Sequence, residues 1–506
     1  MNYPKIGIRP TIDGRQGGVR ESLEQQTLDM ARRAKELIES SLYYMDGTPV
    51  QCVLPEQTIG GYADASFVDD DFARQDVVAT LTVTPCWCYG TETIDLRPDT
   101  FKAIWGFNGT ERPGAVYLAA AMSGYAQKGI PAYKIYGEQV QDSDDKSIPA
   151  DVQEKILLFA RASVAAGEMK NKSYVNIGAS SMGIAGSQIN QTFFEKYLGM
   201  QVEYVDMTEV LRRIELNIFD PKEYDTIRTW IKQYCQEGID INAGKSFPEV
   251  ITKSRYIAEE DQWDFIAKQT LIVRDLLFGN PELAKLGWLE EAKGRNAIAG
   301  GFQGQRQWTD WLPNGDFMES ILTSTFDWNG PKQPVSFATE NDTCNAAAML
   351  FGSLLTNKAP IFSDVRTYWS AESVERITGH KLTGKAQHGL IHLLNSGASA
   401  LDGSGGSIDH EGNPTMKEFW NMTKTDIQAC LEKTKWCRAN YEYFRGGGFS
   451  SQYHLQAELP LTLIRLNIVE GVGPTLQVAE GYSCSLPDEV HDILNERTDQ
   501  TWPTLW

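Results

Sequence analysis

Nothing in the 506 residues resembles a membrane span, a secretory leader or a histidine metal array. No apolar run approaches the ~20 residues that a spanning helix needs. The N-terminus, MNYPKIGIRPTIDG, lacks the charged head and long apolar segment of a signal peptide. Positive charge is short: 47 Lys and Arg stand against 67 Asp and Glu, a net charge of −20. That balance argues against nucleic acid or an anionic membrane as a partner. Cysteine is scattered, at Cys52, Cys86, Cys88, Cys235, Cys344, Cys430, Cys437 and Cys484. Cys86-Trp87-Cys88 is the one close pair and has no second pair to make a zinc module, so reduced thiols in a cytoplasmic setting are expected. The six histidines contain no H-E-x-x-H; His388 and His392 could share a helix face, as structural residues or as a metal pair. Gly178 to Ser187 has Gly-x₄-Gly followed by Ile-Ala, which rules out a P-loop and leaves a tight strand-to-helix turn. No G-x-G-x-x-G opens there.

What is present is an ordinary globular composition, 42% hydrophobic and 23% charged. The length suits two to four domains at roughly 100–200 residues each. Short apolar strands alternate with amphipathic helices from Lys5 onward, and a new alternation starts at Ser173 after the polar Lys170–Lys172. The expected fold class is α/β: two Rossmann-like domains, 1–172 and 173–355, then a mostly β C-terminal domain, 356–506. Residues 204–300 are expected to be largely helical, as in Tyr224 to Glu237 and Gln262 to Phe278.

The chain is organised around Pro334 to Ser370. An apolar run, Val335 to Ala338, stops at Thr339-Glu340-Asn341-Asp342; a helix-like Ala/Leu/Met stretch follows; a second run, Ala359 to Phe362, stops at Ser363-Asp364-Val365-Arg366. Two strands joined by a helix read as a βαβ unit. If the strands are parallel neighbours, Glu340 and Asp364 emerge at one carboxyl edge of the sheet, where open α/β folds bind ligands. Two carboxylates there can share a hard divalent cation such as Mg²⁺ or Mn²⁺, or move protons. A structural alternative stays open, with Glu340 capping the helix and Asp364 paired to Arg366.

Two loops are unlike their surroundings. Thr84 to Gly90 is dense in aromatics at a strand's end, suiting either a wall for a sugar ring or a buried loop core. Gly300 to Trp308 (GGFQGQRQW) suits hydrogen bonding to a hydroxylated ligand, or a plain surface turn.

The segments KIGIRPTIDGR, TPCWCYG, IWGFNGTERPGAVYLAAA, GFQGQRQWTD, FATEND, DVRTYWS, HGLIHLLNSG, EYFRGGGFSS and TWPT together resemble the bacterial L-fucose isomerase family, in register from Lys5 to Trp502. The resemblance implies interconversion of L-fucose with L-fuculose and D-arabinose with D-ribulose. It also implies Mn²⁺ dependence, a cytoplasmic location and a homohexamer. By the same resemblance, Glu340 and Asp364 match metal-binding, proton-transferring carboxylates, and Gln303, Ser396 and Tyr443 match substrate-pocket positions. Trp87 resembles an aromatic wall supplied by a neighbouring subunit, and Trp502 a further wall. The family's domain seam falls between Glu340 and Asp364, which implies that they meet across a cleft instead of on adjacent strands. Family members also extend beyond TWPT and take a third metal ligand from an Asn-His-Gly segment there. That implies an incomplete C-terminal domain here, a metal site of two carboxylates completed by water, and weak or absent activity.

The chemistry implied is an ene-diol isomerisation of the open-chain sugar, with a metal-assisted hydride shift as the mechanistic rival. Two other readings are a non-catalytic sugar-binding module and a metal-dependent sugar lyase.

Overall fold

The computed structural model describes residues 3–254, 256 and 262–506, in two compact units, Met1–Lys170 and Asn171–Trp506. Residues 255 and 257–261 of the expected helical stretch lie outside the described residues.

In the first unit, Lys5–Pro10 (β1), Cys52–Val53 (β2), Val77–Thr84 (β3), Phe101–Gly106 (β4) and Tyr133–Ile135 (β5) form a parallel sheet in the order β2-β1-β3-β4-β5. β3 (VVATLTVT) is buried along almost its whole length, its three threonines included, as expected of a strand covered on both faces. The covering helix Val19–Ser41 buries Leu23, Thr27, Met30, Ala31, Ala34 and Ile38, the three-and-four spacing of one helix stripe. Strand order reverses direction between β1 and β3, so the loops after them flank the crevice where such sheets take ligands. Trp87 stands on the loop after β3, 42% exposed.

In the second unit, Ser173–Ile177 (β6), Gln201–Val205 (β7), Ala297–Phe302 (β8) and Ser336–Ala338 form a second parallel sheet; between β8 and its last strand lies a small hairpin, Phe326–Asp327 (β9) with Gly330–Pro331 (β10). With Ser336–Ala338 as β11, the order is β11-β8-β6-β7. The helix Gln262–Phe278 is buried on nearly all sides within the largest apolar cluster. Antiparallel pieces follow: Asp364–Trp369 (β12), Leu390–Leu394 (β13), Lys435–Arg438 (β14), Phe449–Gln452 (β15), the long hairpin Pro460–Val469 (β16) and Gly473–Tyr482 (β17), and Thr504–Leu505 (β18). The chain is therefore mixed α/β with parallel sheets followed by antiparallel strands.

Four expectations need correction. The run Ala359 to Phe362 is not a strand: Pro360 has no N–H for a ladder, and Ala359 and Ile361 instead pack with Ala400, Met416, Leu455, Leu459 and Leu505. The strand begins at Asp364 and pairs antiparallel with β13 in a different sheet from β11, so Glu340 and Asp364 are not on parallel neighbours. Gly178 to Ser187 turns through a short 3₁₀ segment, Ser181–Gly183, not directly into a helix. His388 precedes β13 while His392 lies in it, so they share no helix face. At the last residues β18 pairs with β13, and the Trp506 indole, buried, donates to His491 Nδ1 at 2.7 Å.

Candidate active site

Glu340 leaves β11 through a turn in which it and Asn341 both have left-handed backbone, φ 58° and 55°. Such a conformation costs a side chain other than glycine about 1–2 kcal/mol, less for asparagine, so neighbours must hold it. Thr339 is one anchor: its Oγ1 donates to Glu319 Oε2 at 2.7 Å and accepts from Asn395 Nδ2 at 3.0 Å. Asn395 Oδ1 in turn accepts the Ser396 N–H at 2.7 Å. Ser396 Oγ then donates to Glu340 Oε1 at 3.3 Å.

The β12–β13 register explains how Asp364 reaches this place. Asp364 is opposite Leu394, at the end of β13 from which Asn395 and Ser396 emerge. Glu340 and Asp364 thus converge from two sheets, each beside the turn after β13.

Their electrostatics follow from that placement. Burial pushes the Glu340 carboxyl up from its ordinary 4.5 to about 7, and the Asp364 charge adds to the rise; the Ser396 hydroxyl opposes it. Asp364 rises from 3.8 to about 6 through surrounding protein mass and the nearby Asp342, against Arg465 and Arg366. Asp364 stands at the solvent-exposed side, where water screens its charge, while Glu340 is only partly exposed. Asp364 therefore gives up its proton first, and its charge then holds Glu340 protonated to higher pH.

Two carboxyl groups beneath them were not singled out from sequence. Asp316 and Glu319, on the helix Asp316–Thr323, are buried and pushed well above the usual carboxylate range by burial, with the Glu340 charge contributing. Asp316 Oδ2 accepts from Ser450 Oγ at 2.6 Å and Asn314 Nδ2 at 2.7 Å. A cavity of about 10 Å³ lies between them, lined by Asp316, Glu319, Thr339, Glu340 and Ser396; that is room for about one water. The signal in DFMESILT was two acids inside an otherwise apolar run. Asp342 was quoted only as part of a turn; it caps the helix Thr343–Thr356 through Asn345 N and pairs with Arg465 Nη1 at 3.3 Å. Arg465 interrupts the apolar alternation of β16, which was its only sign.

Of the other expected site residues, Gln303 sits best. β8 pairs with β11 so that Gly301 faces Ala338, and each chain runs two residues further to Gln303 and Glu340 at one carboxyl edge. The Gln303 amide is used within the protein, accepting from Ala179 N at 2.9 Å and donating to Gln307 Oε1 at 3.3 Å. Tyr443 is 60% exposed, next to Phe444, which lines the small cavity by Glu340. The Trp502 indole N–H is buried without a hydrogen-bond partner among the described residues. Trp87 belongs to the first unit.

Glu340 and Asp364 present hard oxygen donors whose charges repel until something positive lies between them, which fits a Mn²⁺-type cation. Among the described residues, no group of three or more His, Cys, Asp or Glu side chains is arranged to hold a metal, so the carboxylate pair is what this chain offers there.

Three models of L-fucose isomerase domains match the chain consecutively: the first N-terminal domain over residues 3–171, the second N-terminal domain over 172–357, and the C-terminal domain over 393–506. The L-fucose isomerase of Clostridium perfringens (strain 13 / Type A) is 70% identical over 504 residues, covering all of this chain and 85% of that protein. The L-fucose isomerase of Bacteroides fragilis (strain YCH46) is 57% identical over 506 residues, with the same coverage. That of Haemophilus influenzae (strain ATCC 51907 / DSM 11121 / KW20 / Rd) is 56% identical over 507 residues, 84% of its length.

Proposed function

Because the chain belongs to the L-fucose isomerase family, we propose that it interconverts L-fucose and L-fuculose, and D-arabinose and D-ribulose, through an ene-diol. The enzyme class is that of an aldose–ketose isomerase, an intramolecular oxidoreductase. The observation that carries the reading is the pairing of Glu340 with the charge of Asp364 beside Ser396, in a chain matched over its whole length.

In this reading Glu340 takes the C2 proton of the open-chain aldose and a proton is returned at C1. A carboxyl group can take a proton as carboxylate and return one as acid, which serves both directions of the isomerisation. Ser396 orients the Glu340 carboxylate, and Asp364, ionised first, keeps its charge throughout. Glu340 and Asp364 would hold Mn²⁺, which when bound supplies electrophilic stabilisation of charge developing on the sugar's O1 and O2. Gln303 and Tyr443 border the sugar, with Trp502 as one aromatic wall and Trp87 as a wall supplied by a neighbouring subunit. The setting is cytoplasmic L-fucose breakdown, at its first step, in a homohexamer.

Ketose formation from L-fucose and D-arabinose, measured with added Mn²⁺ and with chelator, tests this. Expected is L-fuculose and D-ribulose with Mn²⁺ and a large loss with chelator. Sugar binding without turnover, or cleavage to fragments, would overturn it.

A further inference from the structure

The turn that carries Glu340 is also held by a buried network that reaches across one strand. Asn341, fully buried, accepts a hydrogen bond at Oδ1 from the Tyr174 hydroxyl at 2.7 Å. Its Nδ2 donates to Asn176 Oδ1 at 2.6 Å and to the Ala179 carbonyl at 3.2 Å. Gln188 Nε2 donates to the Asn341 carbonyl at 2.8 Å. Tyr174 and Asn176 are two apart on β6 and so point to one face of the sheet.

β6 and β11 are not neighbours; β8 lies between them. Asn176 is level with Gly301 of β8, and Gly301 is level with Ala338 of β11. The Asn341 side chain reaches β6 because Gly301 has no side chain: a methyl group there would run into Asn341 Oδ1 and the Tyr174 hydroxyl. Glycine at 301, asparagine at 341 and tyrosine at 174 are thus one device. It sits directly behind two consecutive left-handed residues, the first of which is Glu340.

We infer that Asn341 and Tyr174 are positioning residues that, through the gap at Gly301, fix the Glu340 carboxylate in its working orientation. They touch neither sugar nor cation. The inference rests on Glu340 being the proton carrier. A misplacement of about 1 Å in a reacting group can cost about 100-fold in rate, so a loosened turn acts on turnover more than on sugar binding.

The test uses the full chain with Mn²⁺ and four variants, reading kcat, KM, Mn²⁺ affinity without sugar, and thermal midpoint. Tyr174→Phe keeps the ring's packing and removes only the hydroxyl. Expected is a fall in kcat of about 10- to 100-fold with KM within about twofold, and Mn²⁺ affinity weakened about tenfold. Asn341→Gly frees the backbone to take its positive φ but removes the side-chain tether; it is expected to lose as much kcat as Asn341→Ala. Wild-type kcat and Mn²⁺ affinity in Tyr174→Phe, whatever its thermal midpoint, would overturn the inference. So would wild-type kcat in Asn341→Gly, which would reduce Asn341 to a backbone preference. Full activity in Glu340→Gln would instead sink the proposed function, which separates the two failures.

Discussion

At the scale of single residues, Glu340 decides both chemistry and stability. Its carboxyl rises from 4.5 to about 7 on folding, so in metal-free protein the folded state holds the proton more tightly. That contribution to stability is complete below pH 4.5 and is lost as pH rises through about 7. Glu340→Gln removes the ionisation, so in chelator it should be more stable than the parent at pH 8, by on the order of 2–3 kcal/mol. The advantage should shrink towards nothing at pH 4.5. Urea denaturation at the two pH values checks this; an equal difference at both would remove the raised carboxyl from the picture. Glu340 and Asp364 were legible in sequence because each ends or follows an apolar run. Asp316 and Glu319 were not, because their burial comes from β15 and from the turn after β13, more than 70 residues downstream.

Among elements, the reading of Pro334 to Ser370 was half right, for a physical reason. The first strand and its helix formed where apolar runs and an Asp cap demand them. The second strand moved beyond Pro360, to a segment whose exposed side chains carry little apolar signal, and paired antiparallel with β13. Edge geometry therefore joined Glu340 to Gln303, just past the end of β8, not to Asp364, while a register between β12 and β13 delivered Asp364. Asp342 links the helix to this arrangement as cap and as partner of Arg465. Asp342→Ala should cost about 1 kcal/mol through the lost cap and lower the thermal midpoint by about 2 °C. It should also let the Asp364 carboxyl ionise at lower pH, since a neighbouring charge is gone. An unchanged midpoint by calorimetry would remove the cap.

For the whole molecule, β/α alternation and the turn to a mostly β region in the last third of the chain were legible because strand and helix periods differ. The antiparallel pairing partners were not, since they depend on contacts far apart in sequence: β13 takes β12 on one side and β18 on the other. What the two sheets and their turns build in the second unit is a carboxyl pair whose proton affinities are set apart by burial and mutual charge, in a chain 70% identical to a curated L-fucose isomerase. The most direct measurement is isomerisation of L-fucose in D₂O with Mn²⁺, followed by NMR, for the parent chain and Glu340→Gln. Expected is L-fuculose that carries solvent deuterium at C1 from the parent, and a rate at least about 1,000-fold lower from the variant. Ketose formed by the parent with no solvent deuterium, or at an undiminished rate by Glu340→Gln, would contradict proton transfer through this carboxylate.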